Sequence, residues 1–367
     1  MEGATGVKPA TYSARLAKLR RILEVENLDA AIINHQPHIR YLTGYTGSNG
    51  LLFVTAAEVY FYTDARYTAQ AKKEVRRARV VVDERDIWKD LPKTKAATRL
   101  RIKICFQSTY VPHATYGQLR HLLPKALLVG LEQTVEPLAM IKDAEEIAAI
   151  QKAVDISDRA FAETLTCIRP GVRELDVAAE LEYVMKKAGS ENQAFETIVA
   201  SGYRSALPHG AASTKKIKHG DFVTLDFGAT YQGYVSDITR TVVVGMPTAR
   251  QKKIYELVRR AQKAALDCIR AGVTGVAADR AARQVFQRAG YAKRFGHGLG
   301  HGIGLVVHEG PALSTRSTDT LAAGMVVTVE PGIYFPGWGG VRIEDDVVIT
   351  SRGTKILTKA DKTLISV

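Results

Sequence analysis

Apolar residues return at helical spacing over residues 11–27 (Leu16, Leu19, Ile22, Leu23), and a short apolar run follows at 30–33, so the chain opens as helix then strand. Residues 41–50 are rich in turn formers and read as a loop. Runs at 51–54 and 59–63 read as paired strands, 67–75 as a helix, and 80–82 and 102–106 as further strands. Together they predict an α/β domain over residues 1–135. A second domain is expected over 140–367. It opens where Asp143 and Glu146 stand three apart, a capping-box spacing, ahead of Ile147, Ile150, Val154 and Phe161 on one helical face.

The second domain repeats itself. A shift of 101 residues lays Leu165, Cys167, Ile168, Arg169, Gly171 and Val172 on Leu266, Cys268, Ile269, Arg270, Gly272 and Val273, and Val184, Ala188 and Gly189 on Val285, Ala289 and Gly290. Helical periodicity alone does not demand shared Cys and Gly positions, so two similar α/β halves are expected to pack together. A working site between such halves draws attention to residues at corresponding places.

Each half carries a hairpin pattern bearing acids. Residues 221–228 and 233–241 are strand-like runs, and if Ala229 faces Tyr234, Asp226 falls directly opposite Asp237. In the second half, residues 325–330 and 340–349 count back about Gly337 to put Glu330 opposite Glu344, with Arg342 on the same face as Glu344. Like charges so placed destabilise a sheet unless a cation or a shared proton intervenes. Imidazoles lie nearby in sequence: His297 and His301 in a run with Gly at every other position, His308 just beyond it, and His209 ahead of the Asp hairpin. Oxygen-rich ligation with one or two imidazoles suits Mn²⁺, Co²⁺, Fe²⁺ or Zn²⁺. Four carboxylates balance two divalent ions, which can share a bridging hydroxide, so the implied chemistry is metal-assisted hydrolysis. His35, His38, His113, His121 and His219 lack such company and read as surface or turn residues.

Composition adds limits. With 367 residues, 46% hydrophobic and 24% charged, the chain has the make-up of a soluble globular protein, and no apolar run approaches a membrane span. Residues 1–13 show no secretory leader, which makes the cytoplasm the expected location. Cys105, Cys167 and Cys268 lack CxxC spacing and read as reduced core thiols. The net charge of +13 invites a nucleic-acid reading, but the cations are spread through amphipathic patterns without a nucleic-acid motif, so a solvated basic face is expected and no nucleic-acid partner.

In the local sequences LDFG, SDIT, GHGIG, EPGIY and RIED the chain resembles the pita-bread metallopeptidases, and most closely the Xaa-Pro aminopeptidases and Xaa-Pro dipeptidases (prolidases). Residues 41–50 (YLTGYTGSNG) and 62–67 (YTDARY) are similar to the creatinase-like N-terminal domain of that family. The resemblance implies a two-domain α/β protein with a creatinase-like N-terminal domain and a duplicated pita-bread α+β catalytic domain. It implies metal ligation by Asp226, Asp237, His301, Glu330 and Glu344, with two divalent ions, Mn²⁺ first and Co²⁺ or Zn²⁺ as alternatives. It further implies His209 and His308 as catalytic imidazoles outside the ligand set, Glu330 as proton carrier, His297 in the substrate pocket, and Arg342 lining it and anchoring Glu344. The implied activity is Xaa-Pro aminopeptidase on peptides with proline second, with a dipeptide-restricted prolidase or a non-peptidase binding module as alternatives. A homodimer is the implied assembly.

Overall fold

The computed structural model describes residues 9–83 and 86–367; of residues 1–13, where no leader is expected, 1–8 lie outside the described residues. The chain separates into two compact units, Met1–Ala139 and Met140–Val367.

In the first unit, helix Pro9–Val25 buries Leu16, Leu19 and Leu23 and leads into strand Ala30–Ile33. That strand pairs antiparallel with Leu51–Thr55 and parallel with Lys103–Gln107. Val59–Asp64 and Arg79–Asp83 continue the sheet on one side and Leu127–Leu131 on the other, giving six strands. All four residues of Ala30–Ile33 are buried, as a central strand covered on both faces requires. Three of the elements that the sequence pattern missed here show why. Helix Gln36–Thr43 is short and closes at Gly44, whose φ of 83° is left-handed. Helix His113–Leu122 buries only Leu119 and so shows little periodicity, and strand Leu127–Leu131 is an edge with Leu127 exposed. The reading of His38 as a surface residue is corrected. It is buried on the inner face of helix Gln36–Thr43, where its Nδ1 accepts from Gln107 Nε2 at 2.7 Å, and burial pushes it and its half-buried neighbour His35 down to about 4.

In the second unit, Asp143 and Glu146 form the expected capping box of helix Ala144–Thr164. With helix Glu174–Lys187 it packs on a three-stranded sheet of Ile198–Ser201, Phe222–Phe227 and Ile238–Val243. The second half sets helices Ala249–Cys268 and Gly275–Arg288 against a five-stranded sheet that includes Gly300–Gly302, Glu309–Leu313, Val326–Val329 and Asp345–Ile349. The 101-residue shift carries Glu174–Lys187 onto Gly275–Arg288. It also carries Gly171 and Gly189 (φ 92° and 104°) onto Gly272 and Gly290 (φ 86° and 80°), so the shared glycines mark equivalent left-handed turns. Of the cysteines, all free, only Cys105 is a core thiol; Cys167 and Cys268 occupy matching half-buried positions. Among the described residues no helix is long and apolar enough to cross a membrane.

Strand alternation separates core from chemistry. Val223, Leu225 and Phe227 face one helix pair, and Val327, Val329, Val341 and Ile343 face the other. The intervening positions, Thr224, Asp226, Thr328, Glu330, Arg342 and Glu344, must then point away from the helices on the period of two. Most of these polar side chains are nonetheless buried, which requires that they satisfy one another or a ligand.

Candidate metal centre

The first hairpin departs from the predicted register. Asp226 faces Thr239, not Asp237. The cause is the turn: Tyr231 pairs with Tyr234 across Gln232 and Gly233, whose φ values of 52° and 76° make a two-residue turn in place of the longer loop assumed from sequence. The error is an even number of residues, so Asp237 keeps its face and becomes the diagonal neighbour of Asp226. The second hairpin follows the count. Val329 faces Asp345 and Gly332 faces Arg342, which leaves Glu330 and Glu344 at facing positions between them.

The two hairpins meet across a polar seam. The Glu344 amide donates to the Thr239 carbonyl at 3.1 Å, and the Asp237 amide donates to Asp346 Oδ2 at 2.9 Å. Arg240 and Asp345, both fully buried, form an ion pair at 2.8 Å. Asp237, His301 and Glu344 each present a ligand atom within 4.8 Å of the others, and His301 Nε2 lies 3.4 Å from Glu330 Oε1. His301 Nδ1 donates to the Gly302 carbonyl at 3.1 Å, which leaves Nε2 with its lone pair facing these acids. Asp237 Oδ1 and Glu344 Oε1 are buried without a hydrogen-bond partner. Burial, followed by repulsion from neighbouring acids (Glu344 on Asp237, Glu330 on Glu344), holds the carboxyls of Asp237 and Glu344 well above their ordinary range, and burial pushes Glu330 up to about 8. Burial also pushes His301 down to about 4, so its imidazole is neutral. Hard oxygen donors, orphaned oxygens and a neutral imidazole are the donor set that a divalent transition metal satisfies.

Arg342 does not anchor Glu344. Its guanidinium pairs with Asp226, donates from Nη1 to Tyr334 Oη at 2.8 Å, and donates from Nε to Thr239 Oγ1 at 3.0 Å. Thr239 Oγ1 in turn donates to Glu344 Oε2 at 2.6 Å, so one hydroxyl stands between the arginine and that carboxylate. The reason is the facing of Thr239 with Asp226, which brings the acid of one half within reach of the arginine of the other. Sequence reading missed both Thr239 and Tyr334; the two-residue alternation from Asp237 and from Glu330 is the signal that could have found them.

A cavity of about 440 Å³ opens over this cluster and is lined by His209, His297, His301 and His308 as well as the acids and Arg342. The His301 and His308 ring centroids lie 4.5 Å apart. Burial, with His209 nearby, holds His308 below its ordinary range. His297 has no nitrogen to spare: Nδ1 donates to the Gly298 carbonyl at 2.8 Å, and Nε2 accepts from Tyr334 Oη at 2.9 Å. Its Nδ1 also lies 4.0 Å from Glu330 Oε2.

Residues 148–351 match the model of metallopeptidase family M24, and residues 15–141 that of the creatinase/prolidase N-terminal domain. The chain is 40% identical to the Xaa-Pro dipeptidase of Pyrococcus horikoshii over 96% of its own length and 98% of the relative's. Among solved structures, it is similar to the Xaa-Pro dipeptidase from Bacillus anthracis (TM-score 0.93, 41% identity, 97% and 100% of the two chains). It is also similar to the X-Pro aminopeptidase from Thermotoga maritima (TM-score 0.89, 41% identity, 96% and 99%).

Proposed function

We propose, from the premise that this chain belongs to metallopeptidase family M24 and carries a creatinase-like domain ahead of its pita-bread domain, that it hydrolyses the bond between an N-terminal residue and a following proline. The observation that carries this reading is the convergence of Asp237, His301 and Glu344, with two orphaned buried oxygens, beneath a cavity lined by further imidazoles. Asp237, His301, Glu330, Glu344 and Asp226 would hold two divalent ions, Mn²⁺ first, with Co²⁺ or Zn²⁺ as alternatives. Such ions, when bound, supply Lewis acidity and a hydroxide nucleophile at neutral pH.

The rest of the work belongs to the protein. The scissile bond is a tertiary amide whose nitrogen has no hydrogen to offer, so recognition of proline rests on ring shape, and the leaving nitrogen must be given a proton. Glu330, half-buried at the cleft, is the candidate to take the proton of the attacking water and pass it on. The neutral imidazole of His308 is a donor for the oxyanion that develops on the carbonyl, with His209 lining the same cavity.

A second reading, restriction to Xaa-Pro dipeptides, is favoured by the similarity to the Xaa-Pro dipeptidases of Pyrococcus horikoshii and Bacillus anthracis. Measured kcat/KM on Xaa-Pro dipeptides and on longer Xaa-Pro peptides separates the two. Comparable turnover of the longer peptides supports an aminopeptidase, and their rejection supports a dipeptidase. If a preparation with measured metal content cleaves neither, the peptidase reading is lost.

A further inference from the structure

Lys142 is an unusual cation for its place. Its side chain has no solvent exposure, and its ammonium donates to Glu309 Oε2 at 2.8 Å. Glu309 is equally committed. Its other oxygen, Oε1, accepts from the backbone amides of Leu305 and Val306 at 2.6 and 3.1 Å. A buried ion pair thus grips residues 303–308 from inside, between two strand ends where the pairing of Gly300–Gly302 with Glu309–Leu313 slips register. His308, at the cavity, is the residue just before Glu309.

Room for the pair comes from a missing side chain. A Cβ on Gly304 would stand 2.6 Å from Lys142 Cε and 3.0 Å from Glu309 Oε2. The Gly304 carbonyl accepts from the Val235 amide at 2.9 Å, which ties the same loop to the Asp hairpin.

We propose that Lys142 is a positioning residue: by holding the Glu309 carboxylate against the loop amides, it fixes the loop that presents His308 to the cavity. The proposal rests on the reading of His308 given above and adds to it a residue 166 positions away in sequence that does not line the cavity. A bound charge is needed because the two loop amides are held by one carboxylate oxygen, and that oxygen is aimed only while its twin is engaged.

The test is a double-mutant cycle on the metal-loaded enzyme. Lys142→Met should lower kcat by ~10- to 100-fold, the range for a displaced reacting group, with KM little changed and metal content intact. In a His308→Ala background the same substitution should cost little more, since its effect runs through His308. Gly304→Ala, which crowds the pair without removing charge, should reproduce the kcat loss and covers the case in which Lys142→Met does not fold. Additive losses in the cycle, or loss of metal in step with activity, would overturn the proposal while leaving the role of His308 standing. A His308→Ala enzyme with full kcat would remove both.

Discussion

Chelation of the metal should take hydrolysis to background, Mn²⁺ or Co²⁺ should restore it, and the metal-free protein should lose stability as pH rises from about 4.5 to about 8. The second half of that expectation follows from the carboxyls of the cleft. Asp237, Glu330 and Glu344 are all held above their ordinary range, Glu330 at about 8. Below the pKa of an unfolded carboxyl, near ~4 for both residue types, folded and unfolded chains are alike protonated and nothing is lost. Between that value and the folded pKa the unfolded chain has released protons that the fold retains, so unfolding is favoured more at each step upward. Divalent ions reverse the balance by taking the place of the protons, and their affinity should rise with pH. Thermal denaturation of chelated and Mn²⁺-loaded protein at pH 5, 6.5 and 8 reads this directly. The expected gap between the two widens with pH; a constant gap would mean that these acids do not face a cation.

Arg342→Met should destabilise the metal-free protein by about 3–5 kcal/mol, the range for breaking a buried ion pair from one side. The arginine is buried, and three of its nitrogens are spent on Asp226, Tyr334 and Thr239. Its removal leaves a carboxylate without its cation and a tyrosine hydroxyl without its donor. That hydroxyl holds Nε2 of His297, so the loss reaches the cavity wall. Arg342→Lys keeps the charge but not the fork of donors, and should fall between wild type and Met. Chemical denaturation measures the series. A loss below about 1 kcal/mol for Met, the level of an exposed pair, would show that the pair contributes no more than a surface contact.

The acids of the candidate site were legible because strand alternation is rigid: once Asp226 is on a strand and Glu330 directly follows the end of one, the cleft-facing set follows within an even number of residues. The register of Glu330 with Glu344 was readable through its turn, whereas that of Asp226 was not, because Gln232 adopts a left-handed φ that its side chain does not advertise. Arg342 was found and misassigned, since its partner lies in the other half of the domain and sequence spacing carries no information across that seam. Lys142 and Glu309 escaped for the same reason. Helix His113–Leu122 was invisible because one buried leucine makes no pattern. The duplicated helix pairs were visible because their left-handed glycines recur at fixed distance.

The seam between the two hairpins also sets the order of events when the chain folds. Asp237 meets Asp346 across 109 positions, Thr239 meets Glu344 across 105, and Arg342 meets Asp226 across 116. Each contact closes a long loop, so the entropy of closure is spent before the contact returns anything, and such pairings form late on a slow route. A divalent ion would therefore meet its full set of donors only once both halves have docked, and would act on a finished fold as a clasp. In refolding experiments, Mn²⁺ should leave the folding rate unchanged and slow unfolding; faster folding with Mn²⁺ would instead place the ion in the nucleus.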